Sequence, residues 1–407
     1  MAESSSTGKI AIALAAAWLG WGFDVFDAHL FNYVAQPTLL ALGVKEGPAI
    51  NEHMAWLTSL FLVGWGVGGI LFGRLADQLG RSRVLLITMA LYGGGTAACA
   101  FCHSLEGFVL CRVVASLGIG GEWAAGASLL SEVAPDRLRP LLGALMYTAS
   151  PVGQIGASAV SRWVAAGSPD GWRHAFLLGL APVVVALVLR LFVAEPARWN
   201  EHKHERASAS VLFGADLRRS TLTGLVLASV ALVGAWGVLG FLPKVLREWF
   251  KAFPDVEARV DGGNHYALAG GLAGTLATVG IVKLLGQRAA FALYFGGAVA
   301  SSWLVLGMEL PLEQRVPALF LLGFCAHGVF GIFPYYLPEL FPTALRGAGS
   351  GFCYNFGRFL SAGGVFAVGS LQHQRGLPGA MLVMSSVYLV GLAAVPFARE
   401  TRGKLAA

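Results

Sequence analysis

Residues 131–140 read SEVAPDRLRP, and residues 338–347 read PELFPTALRG. Glu132, Pro135 and Arg139 of the first stretch recur as Glu339, Pro342 and Arg346 of the second, each 207 residues later. Tyr147 recurs as Tyr354 at the same interval, and Arg81 as Arg288. That interval is about half of the 407-residue chain. The sequence therefore reads as one unit written twice in the same direction.

The unit is apolar. The chain is 56% hydrophobic and 13% charged, with mean hydropathy +0.65. Soluble proteins carry about a quarter charged residues. Twelve stretches reach the roughly 20 apolar residues that cross a bilayer. The first six are 10–34, 53–76, 84–103, 107–131, 140–165 and 173–194. The second six are 219–243, 265–283, 289–308, 316–337, 345–369 and 379–398. Helices are expected throughout, because a helix satisfies its own backbone in lipid. The expected fold class is an all-α membrane protein with twelve transmembrane helices in two six-helix halves. The halves are residues 1–194 and 219–407, and the polar segment 195–218 links them on the cytoplasmic side. It is too short for a domain, and its VLFGADLR portion could lie on the membrane surface.

Lys and Arg orient the bundle. With both termini in the cytoplasm, 18 basic residues fall inside, among them Arg81, Arg83, Arg137, Arg139, Arg218, Arg219 and Lys404. Nine fall outside, and Arg112 and Arg358 lie within spans. The loop 244–264, with Lys244, Arg247, Lys251 and Arg259, is unusually basic for an outside segment. The net charge of +6 reflects this topology, since no soluble module concentrates it, and a nucleic-acid partner is excluded. The expected partners are the lipid bilayer and a small molecule.

Other local matches resolve to packing. All five cysteines lie in apolar segments, which excludes a disulfide framework. CAFCH, 99–103, fits a haem-attachment pattern with no haem-binding domain around it. GWGVGG, 64–69, fits a dinucleotide pattern, but it sits inside a span, where its glycines serve close helix approach. Lys9 and the apolar run after it resemble a signal peptide, yet the run continues through Asp24 and Asp27 to Val34 and reads as a retained span.

At this level the chain resembles the major facilitator superfamily. GRLADQLGRSR, 73–83, matches its G-x-x-x-D-x-x-G-R signature through Gly73, Asp77, Gly80 and Arg81. RVVASLGIGGEW, 112–123, resembles its fourth-helix motif, and PELFPTALRG and ETRGK, 400–404, resemble its porter branches. FDVFD, 23–27, resembles the first-helix D-x-x-D motif of organic-acid:proton symporters, including the sialate/lactate and aromatic-acid groups. The resemblance implies no enzyme activity, no cofactor, a proton as coupling ion, a functional monomer and, in a bacterium, the inner membrane. It implies a conformational role for Gly73, Asp77, Gly80, Arg81, Glu132, Arg139, Glu339 and Arg346. The second-half loop reads VKLLGQR, with Lys283 where the acid would stand, so the loop clasp is expected in the first half only.

The residues that can carry chemistry are the charges inside spans. Asp24 and Asp27 share a helix face at i and i+3. Each costs about 2.5–3.5 kcal/mol to insert, which packing does not justify. His29, turned about 200° from Asp27, reads as structural. Arg112 lies within about 5 Å of the depth of Asp27, so a salt bridge is expected, and the sugar-porter branch suggests the same pairing. Glu122 lies about 15 Å deeper; without a partner it would favour its protonated form, which fits a proton relay or a neutral packing role. Arg358, mid-span and one turn above Asn355, can bind a carboxylate through two N–H groups. It is either the substrate anchor or a partner of Asp24 or Asp27. Asn355 is expected to contact the substrate, and Gln154, His327, Tyr335, Tyr336 and Tyr354 are expected to face the same cavity.

The reading is proton-coupled symport of a small organic anion, a monocarboxylate, by alternating access. Its rivals are a sugar symporter or drug:proton antiporter of the same fold, and a membrane receptor or scaffold. Arg358 favours the anion.

Overall fold

In a computed structural model, residues 7–165, 170–192, 195, 197–202 and 208–401 are described. Among them the secondary structure is helical, without strands. Lys404 and the middle of the expected linker, 203–207, lie outside the described residues.

Among the described residues, twelve rods run between two ends. The first four are α1 (Thr7–Ala41), α2 (Pro48–Leu79), α3 (Arg81–Cys99) and α4 (Leu105–Val133). α5 covers 139–165 with an irregular joint at Thr148, and α6 covers 171–191. α7 (Ala215–Phe250), α8 (Val256–Leu285), α9 (Gln287–Gly307) and α10 (Leu312–Glu339) follow. α11 and α12 form one helical run from Arg346, broken at Gly376, where φ is 69°. Nine helical stretches among the described residues are by themselves long and apolar enough to span a membrane. The longest, Thr343–Phe397, holds both α11 and α12, and α3 and α5 complete the twelve.

Two turns show the repeat at atomic detail. α2 passes into α3 through Gly80 alone (φ 110°), and α8 passes into α9 through Gly286 alone (φ 84°). A β-carbon is strained at such angles, so glycine stands at both. An acid then caps each following helix. Glu195 accepts the Arg83 N–H at 3.1 Å, while Glu400 accepts those of Gln287 and Arg288 at 3.0 and 2.8 Å. Gly80 and Gly286 are 206 residues apart, not 207, and this corrects the sequence pairing of Arg81 with Arg288. The side chain that turns inward after the glycine is Arg81 in one half and Gln287 in the other. Arg81 meets Glu132, and Gln287 meets Glu339. Arg288 turns outward and donates to Ala398 O.

The expected loop 244–264 is largely helical, because α7 and α8 extend past their apolar portions. Two of its four basic side chains are matched by acids that the charge count ignored. Arg247 grips Glu257 through two bonds of 2.9 and 2.8 Å, and Arg259 meets Asp255 at 2.8 Å. The Arg259 hydrogen bond holds the Asp255 carboxyl below its usual range.

α1–α6 meet α7–α12 most closely along α2 and α11. A β-carbon on Gly69 would lie 2.0 Å from the Asn355 amide, and one on Gly73 would lie 2.6 Å from Gly347 O. Glycines at these positions let the two backbones touch.

Candidate functional site

A cavity of about 100 Å³ lies between the two sets of helices. Its α1 wall is the stripe Trp21, Val25 and His29, spaced four residues apart. Trp65 of α2, Tyr147, Ser150 and Gln154 of α5, and Trp236 of α7 continue it, with His327 and Phe330 of α10 and Tyr354 and Arg358 of α11. Tyr147 stacks on Phe330 (centroids 5.2 Å apart) toward the end that carries the termini. Nearby, Tyr354 stacks on Trp123 at 3.8 Å. Both stacks join residues from opposite halves. At the other side His29 stacks on Trp236 at 6.2 Å, again across the halves.

Arg358 is the strong electrostatic feature of this cavity. Its guanidinium lies 3.6 Å from the Trp65 ring centroid, a cation–π contact, and its Nε donates to Asn355 Oδ1 at 3.0 Å. Asn355 in turn donates to Gly351 O, so its amide is held by its own helix and by Gly69. Asn355 thus positions Arg358 and does not itself line the cavity. Among the described residues no carboxylate lies within ion-pair distance of Arg358, although Asp24 acts on it electrostatically from α1. The indole N–H groups of Trp21 and Trp65 find no acceptor among the described residues. The wall therefore offers a planar cation and two N–H donors, a set suited to a carboxylate.

Asp27 faces away from this chamber. At 100° per residue it is turned about 160° from the middle of the 21–25–29 stripe. It pairs with Arg112 at 3.0 Å and accepts from Thr96 Oγ1 at 2.9 Å. Arg112 is further held over Phe61 at 4.2 Å. Both charges are almost fully buried, at 2% and 4% exposure. Glu122, expected to lack a partner, accepts from Thr88 Oγ1 at 3.4 Å. Among the described residues no group of three or more potential metal ligands comes together.

A second polar system ties the halves at the end that carries the termini. Both Asp77 oxygens accept backbone N–H groups from the start of α11, those of Gly347 at 2.9 Å and Ala348 at 2.7 Å. Arg81 bridges Asp77 (2.8 Å) and Glu132 (3.0 Å) and donates to Thr343 O. Arg346, from the other half, reaches the same Glu132 oxygen at 2.8 Å. Arg139 and Arg346 each send Nε to a carbonyl eight residues earlier, Ser131 O and Pro338 O. Glu339 meets neutral partners instead, Gln287 and Thr401.

The structure corrects three expected substrate-site residues, of which Asn355 positions Arg358 without lining the cavity. Tyr335 packs against α5 at Gly143, and the Tyr336 hydroxyl accepts the Arg399 N–H at 3.2 Å. Both lie five to six residues beyond Phe330, about 8 Å below the floor of the cavity. Gln154, His327, Tyr354 and Arg358 line it. Sequence reasoning missed Trp21, Trp65, Tyr147, Ser150 and Trp236, and assigned His29 to packing. The i, i+4, i+8 spacing of Trp21, Val25 and His29 was the available signal.

The family profile described as Major Facilitator Superfamily matches residues 10–367. A protein named "Probable 4-methylmuconolactone transporter" from Cupriavidus pinatubonensis is 30% identical over 402 residues, covering 95% of this chain and 90% of the relative. The cis,cis-muconate transport protein of Acinetobacter baylyi is 28% identical, covering 95% and 93%. Among solved structures, the proton:xylose symporter XylE bound to 6-bromo-6-deoxy-D-glucose superposes with a TM-score of 0.79 at 18% identity, over 98% of each chain; that likeness concerns the fold. A profile match over most of the chain, on twelve crossing helices with a chamber between their halves, makes this multi-pass membrane protein a transporter of the Major Facilitator Superfamily and not an enzyme.

Proposed function

We propose that this transporter carries a small organic anion, a monocarboxylate, together with a proton, by alternating access. The observation that carries the reading is Arg358: a guanidinium in the central cavity, positioned by Asn355 and Trp65, with no acid at ion-pair distance among the described residues. A neutral or cationic substrate gives no reason for such a residue. The relatives named for 4-methylmuconolactone and muconate transport support an organic acid. In this reading the protein works as a monomer in the bacterial inner membrane with both termini in the cytoplasm. Gly347 and Ala348 docked on Asp77 then mark the conformation closed to the cytoplasm.

In this reading the charges act in sequence. The anion enters from outside and its carboxylate meets Arg358. A proton reaches Asp27 and loosens its hold on Arg112, so α1 and α4 can rearrange around the loaded cavity. The latch of Asp77, Arg81, Glu132 and Arg346 opens, and anion and proton leave to the cytoplasm. The empty carrier, with Asp27 ionised beside Arg112, has the same net charge as the carrier loaded with one proton and one monoanion. One proton with one monoanion is electroneutral, so a pH gradient drives uptake and voltage adds little.

Uptake into proteoliposomes tests this. A pH step, acidic outside, should accumulate a labelled monocarboxylate about tenfold per pH unit. A thermal-shift screen of carboxylates, sugars and organic cations tests the substrate class, since selective binders stabilise the fold. Stabilisation by sugars or cations with none by carboxylates would overturn the reading.

A further inference from the structure

A second pocket, of about 300 Å³, opens at the end of the bundle that carries the termini, on the α7–α12 half. It has no part in the transport cycle above. Three arginines from separate parts of this half converge on it: Arg219 in the first turns of α7, Arg288 at the start of α9 and Arg399 just past α12. The inner wall supplies hydroxyl groups. Ser220 is 7% exposed, Thr223 8% and Tyr336 0%. Phe397, which also lines the pocket, is 60% exposed.

The three cations are not neutralised from within. Among the described residues none of them forms an ion pair. Arg288 spends its Nε on Ala398 O and keeps its two terminal nitrogens. Arg399 uses only its backbone N–H, on Tyr336. The nearby Glu400 is committed elsewhere, to the N–H groups that begin α9. One acid, Asp216, lines the pocket, and it sets a single carboxylate against three guanidinium groups. Arginine does not escape by losing its proton. Three such groups around one hollow repel each other unless an anion joins them, and planar donors of this kind match phosphate.

We propose that this pocket binds the phosphate of an anionic phospholipid headgroup. A lipid is favoured over free phosphate by position and by Phe397. The pocket lies where three spanning helices leave the bilayer, and an exposed aromatic ring on its rim suits contact with the start of an acyl chain. Arg288 belongs here because the one-residue shift at Gly286 gives its inward place to Gln287.

Lipid retention by the detergent-purified full chain tests the site. The probes are phosphatidylglycerol, phosphatidylcholine and inorganic phosphate, read by native mass spectrometry and by thermal stability. Wild type should retain phosphatidylglycerol at least tenfold better than phosphatidylcholine. Arg219→Ala with Arg399→Ala should lower that retention about thirtyfold. Arg218→Ala, an exposed neighbour outside the pocket, should leave it within twofold. Equal retention of the two lipids by wild type would overturn the proposal without need of any variant. An equal loss in Arg218→Ala would overturn it too, by showing general surface attraction. Stabilisation by inorganic phosphate with no preference between the lipids would remove the lipid as the source.

Discussion

The Asp77 carboxylate accepts the backbone N–H of Gly347, 270 residues further along the chain, at 2.9 Å. With the adjacent bond from Ala348, it fastens the end of α2 to the start of α11 by charge meeting backbone donors. Such a bond needs no particular side chain on α11. It needs only that Gly73 and Gly347 let the helices approach, and each glycine has the other's carbonyl where its own β-carbon would be.

Asp77→Asn removes the charge from this latch and from the Arg81 bridge. A hydrogen bond to a charged group is worth about 1.5–3 kcal/mol, so the balance between conformations should move by about 10- to 150-fold. Transport rate should fall while equilibrium substrate affinity stays within a few-fold, as measured by uptake and by binding on one preparation. Complete loss of binding would place Asp77 in the site.

The contact of α2 with α11 can be tested by volume. A β-carbon at Gly69 overlaps the Asn355 amide that holds Arg358. Gly69→Ala should lower thermal stability by about 1–3 kcal/mol and weaken substrate binding as well. Gly94→Ala has open space around it and should do neither.

Arg358→Lys keeps a charge but loses the planar fork and its stacking on Trp65. It should weaken substrate binding nearly as much as Arg358→Ala, about 10- to 150-fold. Asn355→Ala should weaken binding less, because it frees Arg358 without removing it. Wild-type affinity in Arg358→Ala would remove this residue from the site.

The orientation is open to cysteine labelling in a background without the five native cysteines. Arg83→Cys, exposed beside the Gly80 turn, should react only from the cytoplasm, and Glu257→Cys, beyond α7, only from outside. The reverse pattern would invert the bundle.

Much of this architecture could be read from the chain. Apolar runs longer than a bilayer is thick leave little choice of structure, and they mark the spans. The Glu132/Glu339 interval reveals the repeat, and matched depth, with the sugar-porter resemblance, brings Asp27 and Arg112 together. Direction around each helix was harder to read. A helix that is apolar on nearly every side carries only a faint periodic signal to say which face meets lipid and which meets the cavity. That is why the carboxylates of α1 drew attention while Trp21, Val25 and His29 formed the wall. Tyr335 and Tyr336 sit among prolines in FPYYLPELFP, 333–342, where the end of α10 is short and irregular, and their depth was misjudged. The shift at Gly286 is a single residue: Lys283 opposite Asp77 already gives an interval of 206, and the recurrence of arginine at 207 hid it.

In the proposed cycle, protonation of Asp27 couples the anion to the pH gradient. Asp27→Asn imitates the protonated form permanently. It leaves the Arg358 chamber intact because Asp27 lies outside the cavity wall, paired with Arg112. The decisive measurement sets two assays side by side on one reconstituted preparation: uphill uptake driven by a pH step, and exchange of labelled substrate between preloaded vesicles and medium. Asp27→Asn should lose the first and keep the second. Uphill uptake that survives in Asp27→Asn but is lost in Asp24→Asn or Glu122→Gln would move the coupling site to those residues, and survival in all three would contradict coupling through these acids.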